Sequence, residues 1–194
     1  MDLNDLVVTG VNASMLADNM IYLNGEINQD TAHEVFAFIT QANLLPDADK
    51  PNRLVVFINT LGGCMESTMN MVGAIRASNI HVTTVATGAC MSGGVMLAMS
   101  GDERYVDEYC NVMSHTLSTE SPSNSKHADL KIWIANVKAH TKKMVAHYAE
   151  HTGLDPKLIK KELLPKNGEV YLTAQEAINY NLFDDFFTNF DQLK

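Results

Sequence analysis

Residues 85–102 read VATGACMSGGVMLAMSGD, and the rest of the chain is organised around them. Val85 and Ala86 end an apolar run that suits a buried strand, residues 87–89 are small and suit a tight turn, and residues 93–99 suit a buried helix. Ser92 therefore falls where strand hands over to helix. A serine there is ordinarily an N-cap whose oxygen accepts a backbone N–H. The same place in a G-x-S-x-G elbow holds a nucleophile, although here Cys90 takes the first glycine position and only Gly94 matches the last. A nucleophile needs a base, an orienting acid and an oxyanion site. Whether the rest of the chain supplies them decides between cap and chemistry.

The 194 residues fit one domain with a sizeable core, or a core with an interaction arm. A net charge of −9 with 46% hydrophobic residues describes an acidic soluble protein and argues against nucleic acid or anionic lipid as partners. Cys64, Cys90 and Cys110 are odd in number and form no C-x-x-C, so neither a disulfide framework nor a zinc site is expected, and a reducing cytoplasm is the simpler location. MDLNDLVVTG carries acids where an export signal needs basic residues. Residues 77–101 hold no Asp, Glu, Lys or Arg and are long enough to span a bilayer, but their Gly, Ser, Thr and Asn content marks a buried soluble core.

Outward from the opening stretch, residues 1–19 form an N-terminal arm of mixed polarity. Residues 20–23 read as a short strand, and Thr31 with Glu34 as a capping box that opens a helix to about Leu45. Residues 54–58 (LVVFI) are an unbroken apolar run, as in a strand buried on both faces of a parallel sheet. Gly62 and Gly63 follow, then a helix with Met65, Met69 and Val72 as its core stripe. Residues 80–86 form the next strand, so two successive β–turn–α units point to a parallel sheet whose strand ends carry the site. Residues 104–106 and 110–114 read as further short strands, the second delivering His115 at its end. Residues 116–126 (TLSTESPSNSK) read as an exposed loop.

A long helix follows from His127 to Gly153, with Leu130, Ile134, Val137, Thr141, Met144 and Tyr148 as a stripe for the core or for a neighbouring subunit. His147 and His151 have the spacing of a metal pair but lack the glutamate of H-E-x-x-H, so no metal is expected. Asp155 and Pro156 open a short helix, residues 170–172 form a strand, and Thr173 with Glu176 is a second capping box. Residues 186–194 form a C-terminal tail whose phenylalanines pack on the domain or on a partner.

Three features converge. Ser92 stands at a helix N-terminus, Gly62 and Gly63 end a neighbouring strand where bare N–H groups can approach a carbonyl, and His115 ends a further strand on the same sheet edge. Together they sketch an acyl-transfer site.

The segments INTLGG at 58–63, GACMSGGVMLAMSG at 88–101, MSH at 113–115, AEHTG at 149–153 and YLTAQEAINYNLFDD at 171–185 resemble, in order and spacing, the proteolytic subunit family of the Clp protease. The resemblance runs from about residue 21 to residue 185. It implies an α/β fold of the ClpP/crotonase type, with repeated β-β-α units, a mainly parallel sheet and a long protruding handle helix, in a peptidase domain at 20–185 whose handle loop and helix cover 116–152. It implies Ser92 as nucleophile, His115 as general base, and the N–H groups of Gly62 or Gly63 and of Gly93 as oxyanion hole. The family's acid stands two residues before an aromatic, which here is Tyr171, so Glu169 takes the aspartate's place, with Asp155 and Asp184 as alternatives. The implied partners are copies of the chain in a ring, heptameric, single or double, together with polypeptide substrates and an AAA+ unfoldase. No cofactor is implied for the peptidase itself; ATP would belong to the unfoldase.

The chain departs from the family pattern at Leu61, where a proline precedes the glycine pair, at Thr116, where a glutamine follows the histidine, and in the loop after His115, which lacks a glycine-rich segment. These departures leave two other readings: a structural or regulatory subunit with an impaired site, and an acyl-CoA enzyme of the crotonase type, which the Ser92 and His115 pair disfavours.

Overall fold

The computed structural model describes residues 13–118 and 126–193; the first part of the arm and most of the 116–126 loop lie outside them. Seven strands form one sheet: β1 (Met20–Asn24), β2 (Arg53–Thr60), β3 (His81–Met91), β4 (Glu103–Asp107), β5 (Asn111–Ser114), β6 (Val170–Leu172) and β7 (Asp185–Phe187). The order β1-β2-β3-β4-β7 is parallel throughout, β5 also joins β3 in parallel, and β6 pairs antiparallel with β5. This is the mainly parallel α/β architecture expected. Short helix α1 (Ala13–Ala17) precedes β1, and α2 (Gln29–Leu44), α3 (Met65–Arg76) and α4 (Gly93–Ala98) follow β1, β2 and β3.

The LVVFI run behaves as a strand covered on both faces. Leu54, Val56 and Ile58 enter the main core beneath the helices, whereas Val55 and Phe57 join Val85 and Leu193 on the opposite face. Period-2 alternation with apolar residues on both parities produces this division. The chain's last described residues complete the second face: Phe187 ends β7 against it, and a final 3₁₀ turn at Phe190–Leu193 brings Leu193 into the cluster. The Phe187 ring meets Phe57 edge-on with centroids 6.0 Å apart. What reads as a tail in sequence is therefore the last strand of the sheet and its cover.

Three local readings are corrected. The helix after β1 is capped by Asn28, whose Oδ1 accepts from the N–H groups of Asp30 and Thr31 while Thr31 Oγ1 accepts from Asn28 N–H. Asparagine caps as well as threonine does, so the box begins three residues earlier. The buried face of α3 is centred on Thr68, Met71, Val72 and Ile75, with Met65 and Met69 only partly covered. The turn expected at residues 87–89 is instead a kink inside β3.

That kink shapes the site. Before it, Thr83–Ala86 pair with β4; after it, Ala89–Met91 pair with β5. Gly88 has φ +58°, which only glycine adopts cheaply, and a Cβ there would stand 2.8 Å from Asn59 Oδ1. Asn59 Oδ1 accepts the Ala89 N–H at 2.9 Å, which holds the bend. The sheet thus forks, and the branch carries the end of β5 alongside the end of β3.

The helix α5 (His127–Thr152) has 26 residues and ends on Gly153 in the left-handed conformation. Only its C-terminal part is buried: of the apolar stripe, Met144 and Tyr148 are covered, while Ile134 is 44% exposed. The short helix α6 (Pro156–Leu158) continues as a π turn, Ile159–Leu163, and α7 (Ala174–Asn179) carries the expected Thr173–Glu176 capping box. Among the described residues no helix is long and apolar enough to cross a membrane. The uncharged stretch 77–101 instead supplies β3 and α4, every residue of the latter being buried.

Candidate active site

Ser92 follows β3 directly, with φ 54° and ψ −117°, a conformation that a non-glycine residue holds only when its surroundings enforce it. Its N–H donates to Met113 O of β5 at 2.8 Å, continuing the forked pairing by one residue. The side chain makes no capping bond, so the N-cap reading holds for position and fails for the hydroxyl. Ser92 Oγ lies instead 2.7 Å from His115 Nε2. With Nδ1 carrying the imidazole proton, the serine O–H donates to Nε2, which is the arrangement a general base needs.

His115 leaves the end of β5, and its neighbour Ser114 is fully buried with Oγ 2.7 Å from Tyr148 Oη on α5. Burial pushes the Tyr148 phenol well above its usual range, so it stays protonated. Immediately before Tyr148 on α5, His147 Nε2–H donates to Met96 O of α4 at 2.8 Å. Burial holds His147 below the usual histidine range and His151 down to about 4, leaving both neutral. Their rings lie 4.4 Å apart, and among the described residues no cluster of three or more His, Cys, Asp or Glu suits a metal. His147 thus ties α5 to α4. The Tyr148–Ser114 bond was not legible in sequence, where Tyr148 read only as part of an apolar stripe.

The glycine pair is placed against the serine. A Cβ on Gly62 would lie 2.6 Å from Ser92 Cβ, so only glycine lets the β2 turn come this close. Gly62 N–H, however, donates to Thr60 Oγ1 at 3.0 Å and is not free for an oxyanion. Gly63 pairs with Ile27 through neighbouring groups, Ile27 N–H to Gly62 O and Cys64 N–H to Ile27 O, and its own N–H has no partner among the described residues. Gly93 opens α4, where first-turn N–H groups lack intrahelical acceptors. Of the three glycines named from sequence, Gly63 and Gly93 remain as donors.

The acid is the least settled member by geometry. Asp155 caps α6 by accepting Lys157 N–H at 2.7 Å, and Asp184 accepts from the backbone and guanidinium of Arg104. Both alternatives are thus committed elsewhere. Glu169 sits just before β6, where Met113 pairs with Tyr171 and Ser114 with Val170; one more step of that register sets Glu169 opposite His115. A cleft of about 520 Å³ is lined by His115, Thr116, Lys166, Gly168 and Glu169 among others. The Glu169 carboxylate accepts a bond from Tyr171 O–H at 2.7 Å, and no bond to His115 is formed. Tyr171 as a partner of this acid was missed; the i, i+2 spacing on a strand was the available signal.

The two buried thiols are disfavoured as nucleophiles. Burial raises the Cys90 thiol well above its usual range and the Cys110 thiol to about 12, so both stay protonated. A second hollow of about 250 Å³ opens beside Gly63, walled by Leu117, Trp133 and Val137, with Glu66 and His140 also lining it. Glu66 is held below the usual carboxylate range, first by its own backbone N–H and then by the Cys64 thiol.

These observations define an α/β protein with a serine–histidine pair on a strained strand-to-helix elbow. The family model described as Clp protease matches residues 5–189. The chain belongs to the Clp protease family. It is 26% identical over 175 residues to the ATP-dependent Clp protease proteolytic subunit 3 of Nocardia farcinica, covering 89% of this chain and 76% of that protein. It is 29% identical over 146 residues to proteolytic subunit 1 of Chlamydia caviae, covering 74% and 75%. The proteolytic subunit 1 of Rhodococcus jostii is 26% identical over 173 residues, covering 88% and 76%.

Proposed function

We propose that the protein is a serine endopeptidase of the ATP-dependent Clp type, cleaving unfolded polypeptides inside a chamber built from copies of itself. The observation that carries this reading is the 2.7 Å contact between Ser92 Oγ and His115 Nε2 on the strained elbow. Ser92 Oγ attacks the peptide carbonyl while Nε2 takes its proton, and the N–H groups of Gly63 and Gly93 receive the developing oxyanion. His115 then gives the proton to the departing amine, and water releases the acyl group by the same route in reverse. Glu169 is the acid that orients His115 during turnover. The hollow beside Gly63 suits a substrate side chain next to the scissile bond. The reaction uses no cofactor of its own; ATP belongs to an AAA+ unfoldase partner, and the uncovered N-terminal half of α5 is the handle through which one heptameric ring of copies pairs with a second.

A second reading, a structural or regulatory subunit with an impaired site, is favoured by one observation: the Glu169 carboxylate is bonded to Tyr171 and not to His115. A crotonase-type acyl-CoA enzyme has no use for the serine–histidine pair.

A fluorophosphonate probe should label the assembled protein, with the adduct on Ser92 by peptide mass spectrometry. A folded protein that takes no label and hydrolyses no peptide would sink the peptidase reading. Glu169→Gln should slow hydrolysis by up to about 10⁴-fold, as expected when an imidazole loses its orienting carboxylate. Near-normal rates would show that the pair works without this acid.

A further inference from the structure

Glu169 stands one residue before β6 and Tyr171 lies within it, and Tyr171 O–H donates to Glu169 Oε2 at 2.7 Å. The register of β5 and β6, carried one step beyond Ser114 and Val170, sets His115 opposite Glu169. Directly opposed residues of an antiparallel pair have Cβ atoms about 4.5–5.5 Å apart, within reach of a glutamate carboxylate. His115 uses Nε2 for Ser92, and its Nδ1 has no hydrogen-bond partner among the described residues. The acid therefore lines the same cleft as an imidazole whose second nitrogen is unbonded, while itself bonded to a different donor.

We infer that Tyr171 is a positioning residue that holds the Glu169 carboxylate back from His115, so that the acid completes the triad only when the tyrosine bond is released. This inference rests on the serine peptidase reading. The tyrosine ring is 64% exposed and adds little to the core, so its hydroxyl is the part with a specific partner. The same bond raises the Tyr171 phenol above its usual range, as a donor to a carboxylate should be. Glutamate suits the arrangement because its extra methylene lets one carboxylate alternate between the hydroxyl two residues away and the imidazole across the strand.

The test is Tyr171→Phe in the full-length assembled protein, alone and combined with Glu169→Gln. Tyr171→Phe keeps the ring and removes the donor, and should raise kcat on a short fluorogenic peptide about two- to tenfold, the range expected for one competing hydrogen bond. The low-field proton resonance of an imidazole N–H bonded to a carboxylate should appear in Tyr171→Phe and vanish in Tyr171→Phe/Glu169→Gln. An unchanged or reduced kcat, or a gain that survives in the Glu169→Gln background, overturns the inference. So does the absence of the low-field proton in Tyr171→Phe. Lack of Ser92 labelling while that proton still appears would overturn the peptidase reading alone, because the proton signal does not depend on turnover.

Discussion

Ser92→Ala and His115→Ala should each lower peptide hydrolysis by about 10⁶-fold, and the double variant should be no slower than either single one. The expectation follows from a shared hydrogen bond: Ser92 Oγ and His115 Nε2 lie 2.7 Å apart, so removing either removes the activated nucleophile. Groups that act as a unit lose their effect together, whereas independent contributions multiply. Steady-state kinetics on the three purified variants is the measurement. A double variant much slower than both singles would mean that the two residues act separately and that the contact is incidental. The residual rate, above that of free peptide, would then measure what the N–H groups of Gly63 and Gly93 contribute unaided.

Gly63→Ala should unfold or severely destabilise the protein. Its backbone stands at φ +150°, and a Cβ built there would lie 2.2 Å from the Ile27 carbonyl oxygen. A methyl group cannot share that space with a main-chain atom, and Ile27 cannot withdraw because its N–H and C=O are both tied to this turn. The strained backbone costs roughly 1–3 kcal/mol, and the forced overlap adds about 1–3 kcal/mol. Gly73→Ala is the matching control: it lies inside α3, where a Cβ would meet nothing within 4 Å. That change should stabilise by about 0.4–1 kcal/mol. Urea titrations of the two variants decide the matter. A Gly63→Ala midpoint equal to that of the parent would show that the turn at Ile27 is soft, and with it one wall of the oxyanion site.

Much of this was legible along the chain because it depends on local periodicity and on strand ends. LVVFI announces a strand buried on both faces, Thr173 and Glu176 announce a cap that forms as read, and Ser92 and His115 are found at the ends of adjacent strands. Where the reading failed, the cause was a contact between distant residues or a choice between equals. Asn28 and Thr31 are both good caps, and the position of Ile27 against Gly63 favours the earlier one. Residues 87–89 carry every mark of a turn, but Asn59 from β2 holds Gly88 as a bend within a continuous strand. Gly62 and Gly63 look alike in sequence, and Thr60 Oγ1 separates them as donors by occupying the N–H of the first.

The sequence by itself determined the α/β alternation, the place of Ser92 ahead of a helix, the strand that delivers His115, and the family, because apolar period and glycine placement are written residue by residue. Tertiary structure decided which groups meet. The fork of β3 at Gly88 brings β5 beside Ser92, Asp155 and Asp184 are occupied by a helix end and an arginine, and Glu169 rests on the Tyr171 hydroxyl. A carboxylate accepts from whichever donor the backbone holds within reach, and that distance is a property of the folded chain.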